Sequence, residues 1–194
     1  GARGKTTTAH ALASLMPGAG ILHTSTGTYR FPGKEWISQS SITPASVLAS
    51  AKLARDINGW LIAEESLGVS GAGTLSIITS DYDYACAAGK KSAVAVKVES
   101  TKHARYLLLA ENVEAVCSGQ VIHLEDIAVS HDALCSVTFS GVTGRFSNPL
   151  LAIPGYRASL MLAAAAAMIL GRDPGPLSSF EALPGRMSLS YENG

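Results

Sequence analysis

Gly1-Ala2-Arg3-Gly4-Lys5-Thr6-Thr7-Thr8 holds the residue types that bind a polyphosphate. A glycine-rich turn running into a helix aims backbone N–H groups at an anion, and the helix dipole adds roughly half a positive charge there. Lys5 would reach the terminal phosphates and Thr6 would offer its hydroxyl to Mg²⁺, with Gly1, Gly4 and Thr7 completing the cradle. The full pattern has a further glycine and a leading strand, both expected upstream of Gly1.

Two carboxylates form the next chemical cluster. Glu64-Glu65-Ser66 follows the apolar run Trp60-Leu61-Ile62-Ala63, which reads as a buried parallel strand. The carboxyl ends of such strands are where α/β sheets collect ligands. Glu64 comes directly off the strand and is the candidate metal ligand, while Glu65 is expected to face solvent. Ser80-Asp81-Tyr82-Asp83-Tyr84 ends a second strand in the same way, and Asp81 or Asp83 has the hard oxygen donors that suit Mg²⁺. Lys97 stands among Ala95, Val96 and Val98 on a helix. A lysine so placed ordinarily snorkels to water.

These groups need a scaffold, and the pattern of elements supplies one. Helices are expected over residues 6–16, 43–56, 90–100 and 156–170. Pro17-Gly18 stops the first, and Thr43-Pro44 opens the second as N-cap and first-turn proline. Strands are expected over residues 21–24, 60–63, 75–79, 105–109 and 120–124, with 187–191 near the end. Residues 25–28 read as a polar turn, and 29–41 as mixed chain with a turn at Pro32-Gly33. Residues 136–139 and 144–153 read as a solvent-facing hairpin. Strands alternating with helices predict an α/β domain with a mainly parallel sheet flanked by helices, a P-loop NTPase-like three-layer architecture with a small antiparallel hairpin region.

Composition narrows the classes. The 194 residues suit one domain with a single core. Fifteen basic and fifteen acidic residues leave a formal charge of zero, so no electrostatic footprint for nucleic acid or an acidic membrane is present. Cys86, Cys117 and Cys135 are widely spaced without a metal-ligand pattern, which fits reduced thiols in a cytoplasmic protein. The apolar run 160–170 is about half the length that crosses a bilayer. No targeting segment is visible.

Five pieces in fixed order, Gly4-Lys5-Thr6-Thr7-Thr8, Thr43-Pro44, Glu64-Glu65-Ser66, a lysine in the helix after the Asp81–Tyr84 loop, and Leu183-Pro184-Gly185-Arg186, resemble the central ATP-binding domain of the Mur ligases. The resemblance covers nearly the whole of 1–194. It implies a cytoplasmic, ATP- and Mg²⁺-dependent ligase that activates a substrate carboxylate as an acyl phosphate for attack by a nucleophile. Separate N- and C-terminal domains, expected outside this chain, would read the substrates. Carried over, Lys5 and Thr6 serve the terminal phosphate and its Mg²⁺, and Glu64 takes the place of the metal-binding glutamate. Lys97 matches the lysine that the family carries as a carbamate, and Arg186 matches an arginine on the nucleotide. The chain departs from the pattern where the family has Asp-His after the second strand, since no histidine follows Ser80. It departs again where the Ala-rich helix normally presents an asparagine to adenine, a place held by about Met161 with Arg157 and Ser159 nearby. These departures resemble a divergent archaeal branch, which includes a synthase closing a ring of a nickel-tetrapyrrole coenzyme with carbon as nucleophile. The rival reading is a P-loop ATPase switch or nucleotide-binding module that gates a partner. It would call for an aspartate ending the strand where Glu64 stands.

Overall fold

Gly4 turns the chain into its first helix. Its backbone is left-handed (φ 88°), and a Cβ there would lie 2.9 Å from the Ser159 hydroxyl oxygen. Both facts favour glycine. The computed structural model describes residues 4–66, 73–81, 85–86 and 91–184. Gly1, Asp83, Arg186 and the strand expected at 187–191 lie outside the described residues.

Helix α1 (Lys5–Leu15) leads to β1 (Gly20–Thr24), and a tight turn returns the chain as β2 (Gly27–Phe31) and β3 (Glu35–Ser38). Helix α2 (Pro44–Asp56) then precedes β4 (Trp60–Ala63), which lies parallel to β1. The sheet order is β3-β2-β1-β4. A second sheet holds β5 (Leu75–Ile78), β8 (Tyr106–Leu109) and β9 (Gln120–His123), all parallel, in the order β5-β8-β9. Between β5 and β8 come the short pair β6 (Ala85–Cys86) and β7 (Lys91–Ser92), followed by α3 (Ala93–Ser100). After α4 (Leu124–Ile127), a meander of β10 (Ala128–His131), β11 (Leu134–Phe139) and β12 (Val142–Ser147) forms a third sheet. Helix α5 (Pro154–Ile169) closes the fold.

The fold is therefore α/β with mixed sheets, and parallel pairing occurs in three ladders: β1–β4, β5–β8 and β8–β9. The expectation of one mainly parallel sheet is corrected on this point. Residues 29–41 are the outgoing arm of an antiparallel ribbon, not mixed chain, because alternating Tyr29, Phe31 and Trp36 suit a pleated surface. The region expected to be a solvent-facing hairpin is a three-stranded sheet with one face inward. Cys135, Val137 and Phe146 are buried under α5. Its last strand ends at Ser147, where Asn148 caps a 3₁₀ turn over Pro149–Ala152 by accepting a hydrogen bond from the Leu150 N–H. Helix α3 starts later than expected because Ser92 caps it from the end of β7.

The core gathers on α5. Ala163 to Ala167 are fully buried, as are Leu160 and Leu162 beside them. A helix apolar all round belongs inside a protein. Alanine's short side chain lets α1 lie close, so Ala11, Leu12 and Leu15 share that core. Gly171 (φ 69°) ends α5, and the Arg172 N–H returns to the Ala167 carbonyl. Among the described residues no helix is long and apolar enough to cross a membrane.

Burial has a chemical consequence at Cys135. The side chain is solvent-free, and burial pushes its thiol from 9.0 up to about 12. The unfolded chain therefore ionises first, and the fold loses stability as pH rises through that window. At pH 8.5 a maleimide probe should modify the half-buried Cys117 well before Cys135. A three-unit rise leaves about a thousandfold less thiolate at Cys135. Peptide mapping after timed labelling reads the ratio; equal labelling of the two in the folded protein would contradict the burial.

Candidate functional site

The site is assembled where α1 begins and β1 and β4 end. In the parallel ladder His23 lies opposite Ala63, and the Glu64 N–H donates to the His23 carbonyl at 2.8 Å. That one further rung fixes the backbone of Glu64 at the sheet's carboxyl edge. The apolar runs of β1 and β4 thus determine where the carboxylate starts.

Helix α1 brings Thr6 to the same point. The Thr6 hydroxyl donates to Glu64 Oε2 at 2.8 Å, although 58 residues separate the two in sequence. Ser25, in the turn after β1, adds its N–H at 3.1 Å and its hydroxyl at 3.2 Å to the same oxygen. Thr6 is 1% exposed and Glu64 7%. Among the described residues Glu64 makes no ion pair. A buried carboxylate held by hydroxyl and amide donors alone is costly unless a cation joins it. Its oxygens and the Thr6 hydroxyl are hard donors, the type that holds Mg²⁺ together with substrate phosphates. The donor set therefore fits that ion. Among the described residues no cluster of three His, Cys, Asp or Glu side chains could hold a metal by itself. A site completed by phosphate oxygens has no need of one.

The first turn of α1 carries no acidic residue, and Gly4 contributes no capping side chain. The N–H groups of the first turn therefore lack intrahelical acceptors. Lys5, half-buried, stands at the first helical position, and Thr7 is buried beside Thr6. Helix α5 braces this end: the Ser159 hydroxyl donates to the Gly4 carbonyl at 3.4 Å, and the Thr8 hydroxyl donates to the Ser159 carbonyl at 3.4 Å.

Of the residues singled out in the sequence, Gly4, Lys5, Thr6, Thr7 and Glu64 come together here. Glu65 is half-buried and is not the carboxylate that Thr6 meets. Lys97 is 7% exposed on α3, an element packed against β7, and the hydrogen bonds to Glu64 come from Thr6 and Ser25 instead. Asp81 is exposed just beyond β5. Met161 is buried, and Arg157 donates from Nε to the Leu151 carbonyl at 2.7 Å.

Two contributors escaped sequence reasoning. Ser25 read as part of a polar turn, yet its two donors make it a principal partner of Glu64. The signal was its place one residue past a strand that pairs with β4. His23 is fully buried, with Nε2 3.2 Å from the Ser41 carbonyl and Nδ1 2.9 Å from the Thr28 hydroxyl. A carbonyl can only accept, so Nε2 carries the proton and Nδ1 accepts from Thr28. This histidine ties the chain before α2 to the sheet beneath the site. Comparison with protein-family models, curated proteins and solved structures returned no match.

Proposed function

We propose that this chain is the ATP-binding core of a Mur-type carboxylate ligase, a cytoplasmic enzyme built on a P-loop NTPase-like three-layer plan. The observation that carries the reading is the buried contact between Thr6 and Glu64 at the mouth of α1. It joins the two residue types that a phosphate-binding loop and a metal-binding strand end each contribute.

Joining a carboxylate to a nucleophile in water is uphill, so the carboxylate is first phosphorylated at the expense of ATP. The protein's task is to hold carboxylate and γ-phosphorus in line and to offset charge on the transferred group. In this reading the first-turn N–H groups of α1, with Gly1 and Gly4 in the loop, cradle the phosphates, and Lys5 contacts the outer ones. Thr6 and Glu64 would hold Mg²⁺, which when bound neutralises phosphate charge. Ser25 keeps the Glu64 carboxylate turned toward Thr6. Preorganised donors of this kind contribute the largest share of many rate enhancements.

Lys97 is assigned the carbamate role. Carbamate forms from the neutral amine, whereas a free lysine has a pKa of about 10.4. Burial disfavours the ammonium, and Lys97 is buried. The modification exchanges a cation for an oxygen anion suited to a metal. Asp83 as a further metal ligand and Arg186 on the nucleotide complete the assignment. The acyl substrate and the nucleophile, an amine or a carbon, are read by domains outside this chain.

The test is acyl-phosphate trapping. The complete protein, given Mg²⁺, ATP and its carboxylate substrate but no nucleophile, should yield a hydroxamate with hydroxylamine, one per ADP formed. Release of free phosphate without hydroxamate would identify instead a P-loop ATPase that gates a partner.

A further inference from the structure

Strands β4 and β5 each use only one edge among the described residues. β4 pairs with β1, and β5 pairs with β8. The other two edges line a common cleft of about 400 Å³, whose remaining walls include Leu12 and Met16 of α1 and Leu170 after α5. All four residues of β4 are half-buried, as are Leu75 and Ile77 of β5, where a strand central in a sheet would be fully covered. The N–H and C=O groups of such edges call for partners.

We infer that this cleft receives a β-strand of the same polypeptide, lying upstream of Gly1 and running parallel to both β4 and β5. With that strand in place the two parallel ladders become one sheet, in the order β3-β2-β1-β4-strand-β5-β8-β9.

Direction and identity follow from the geometry. α1 starts at the carboxyl end of β4, because Thr6 touches Glu64 just past Ala63. A segment entering Gly4 from the cleft must therefore arrive at that end, which makes it parallel to β4. The path from strand to α1 to β1 is then the right-handed crossover that nearly all such units adopt. The length matches β4 and β5, four to five residues spanning about 13–17 Å. Its chemistry is set by the walls. Flanked by two strands and covered by Leu12, Met16 and Leu170, it must be a near-continuous run of β-branched or aliphatic residues. This inference stands on the strand edges, independently of the nucleotide reading, although it supplies the central strand of the architecture proposed above.

Two measurements test it. The encoded sequence before Gly1 should carry an apolar run of four to six residues within about ten positions, the reach of a strand and a short loop. A polar or absent upstream stretch overturns the inference. Amide hydrogen exchange should then be compared between residues 1–194 alone and the polypeptide with its upstream residues. Protection of the Leu61–Ala63 and Leu75–Ile77 amides should rise at least about a hundredfold in the longer form, as edge groups become central ones. Protection equal in both forms would overturn it. So would protection of 1–194 that grows with protein concentration, the mark of a second copy in the cleft. Protection lost on truncation after Pro184 would assign the cleft to residues 185–194. Mg·ATP binding measured on the same samples separates the two proposals: protection without nucleotide binding keeps the strand and rejects the functional reading.

Discussion

Lys5→Ala in the complete protein should lower ATP-dependent turnover at least about a thousandfold, or roughly 4 kcal/mol of transition-state stabilisation. The amine stands at the first position of α1, where the helix N-terminus favours anions, and no neighbouring cation among the described residues duplicates it at Glu64. The fold should survive. Lys5 is half-buried and enters no salt bridge among the described residues, and alanine is the best helix former. Turnover and the denaturation midpoint should be measured on the same preparation. Wild-type turnover rejects the phosphate role, and a collapsed midpoint with lost turnover assigns Lys5 to folding instead.

Glu64→Gln should act in opposite directions on stability and on function. The wild-type carboxylate is buried with three donors on one oxygen and no cation among the described residues. A glutamine of the same shape keeps an oxygen for those donors and removes the buried charge. Without metal, stability should be unchanged or rise by about 1 kcal/mol. With Mg·ATP, the metal loses an anionic ligand, and the Mg²⁺ concentration for half-maximal activity should rise on the order of a hundredfold. Glu65→Gln should change it less than about twofold, since Glu65 lies outside the Thr6–Ser25 cluster. Equal effects of the two substitutions would show that the strand end, rather than this side chain, sets metal affinity. A fall in metal-free stability for Glu64→Gln would mean that the carboxylate is held for folding.

Much of the candidate site was legible in one dimension because its determinants are local. Gly4 needs a left-handed backbone, Lys5 and Thr6 must open a helix, and an apolar tetrapeptide followed by Glu64 must be a strand ending in a carboxylate. Each statement concerns fewer than about eight neighbouring residues, the range over which propensity and periodicity act. Ser25 was not legible. Its importance depends on β1 lying beside β4, a pairing across 35 or more residues that no local pattern encodes. The ribbon β2–β3 was missed for a related reason: a four-residue edge strand holding Glu35 and Ser38 carries little periodic signal.

The sequence by itself determined the alternation of helices and strands, the opening of α1 on a glycine and a lysine, and the apolar character of α5. These follow from backbone sterics and from side chains that must leave water. The tertiary structure alone decided which strands pair. It chose Glu64 over Glu65 as the partner of Thr6, and it turned the expected solvent-facing hairpin inward to cover α5 with Val137 and Phe146. It also left facing edges on β4 and β5 that share one cleft. The physical reason is the range of the forces involved. Turn chemistry and helix propensity are properties of short segments. Strand order and the meeting of two hydroxyls with one carboxylate result from packing a single core, in which every long-range contact depends on the others.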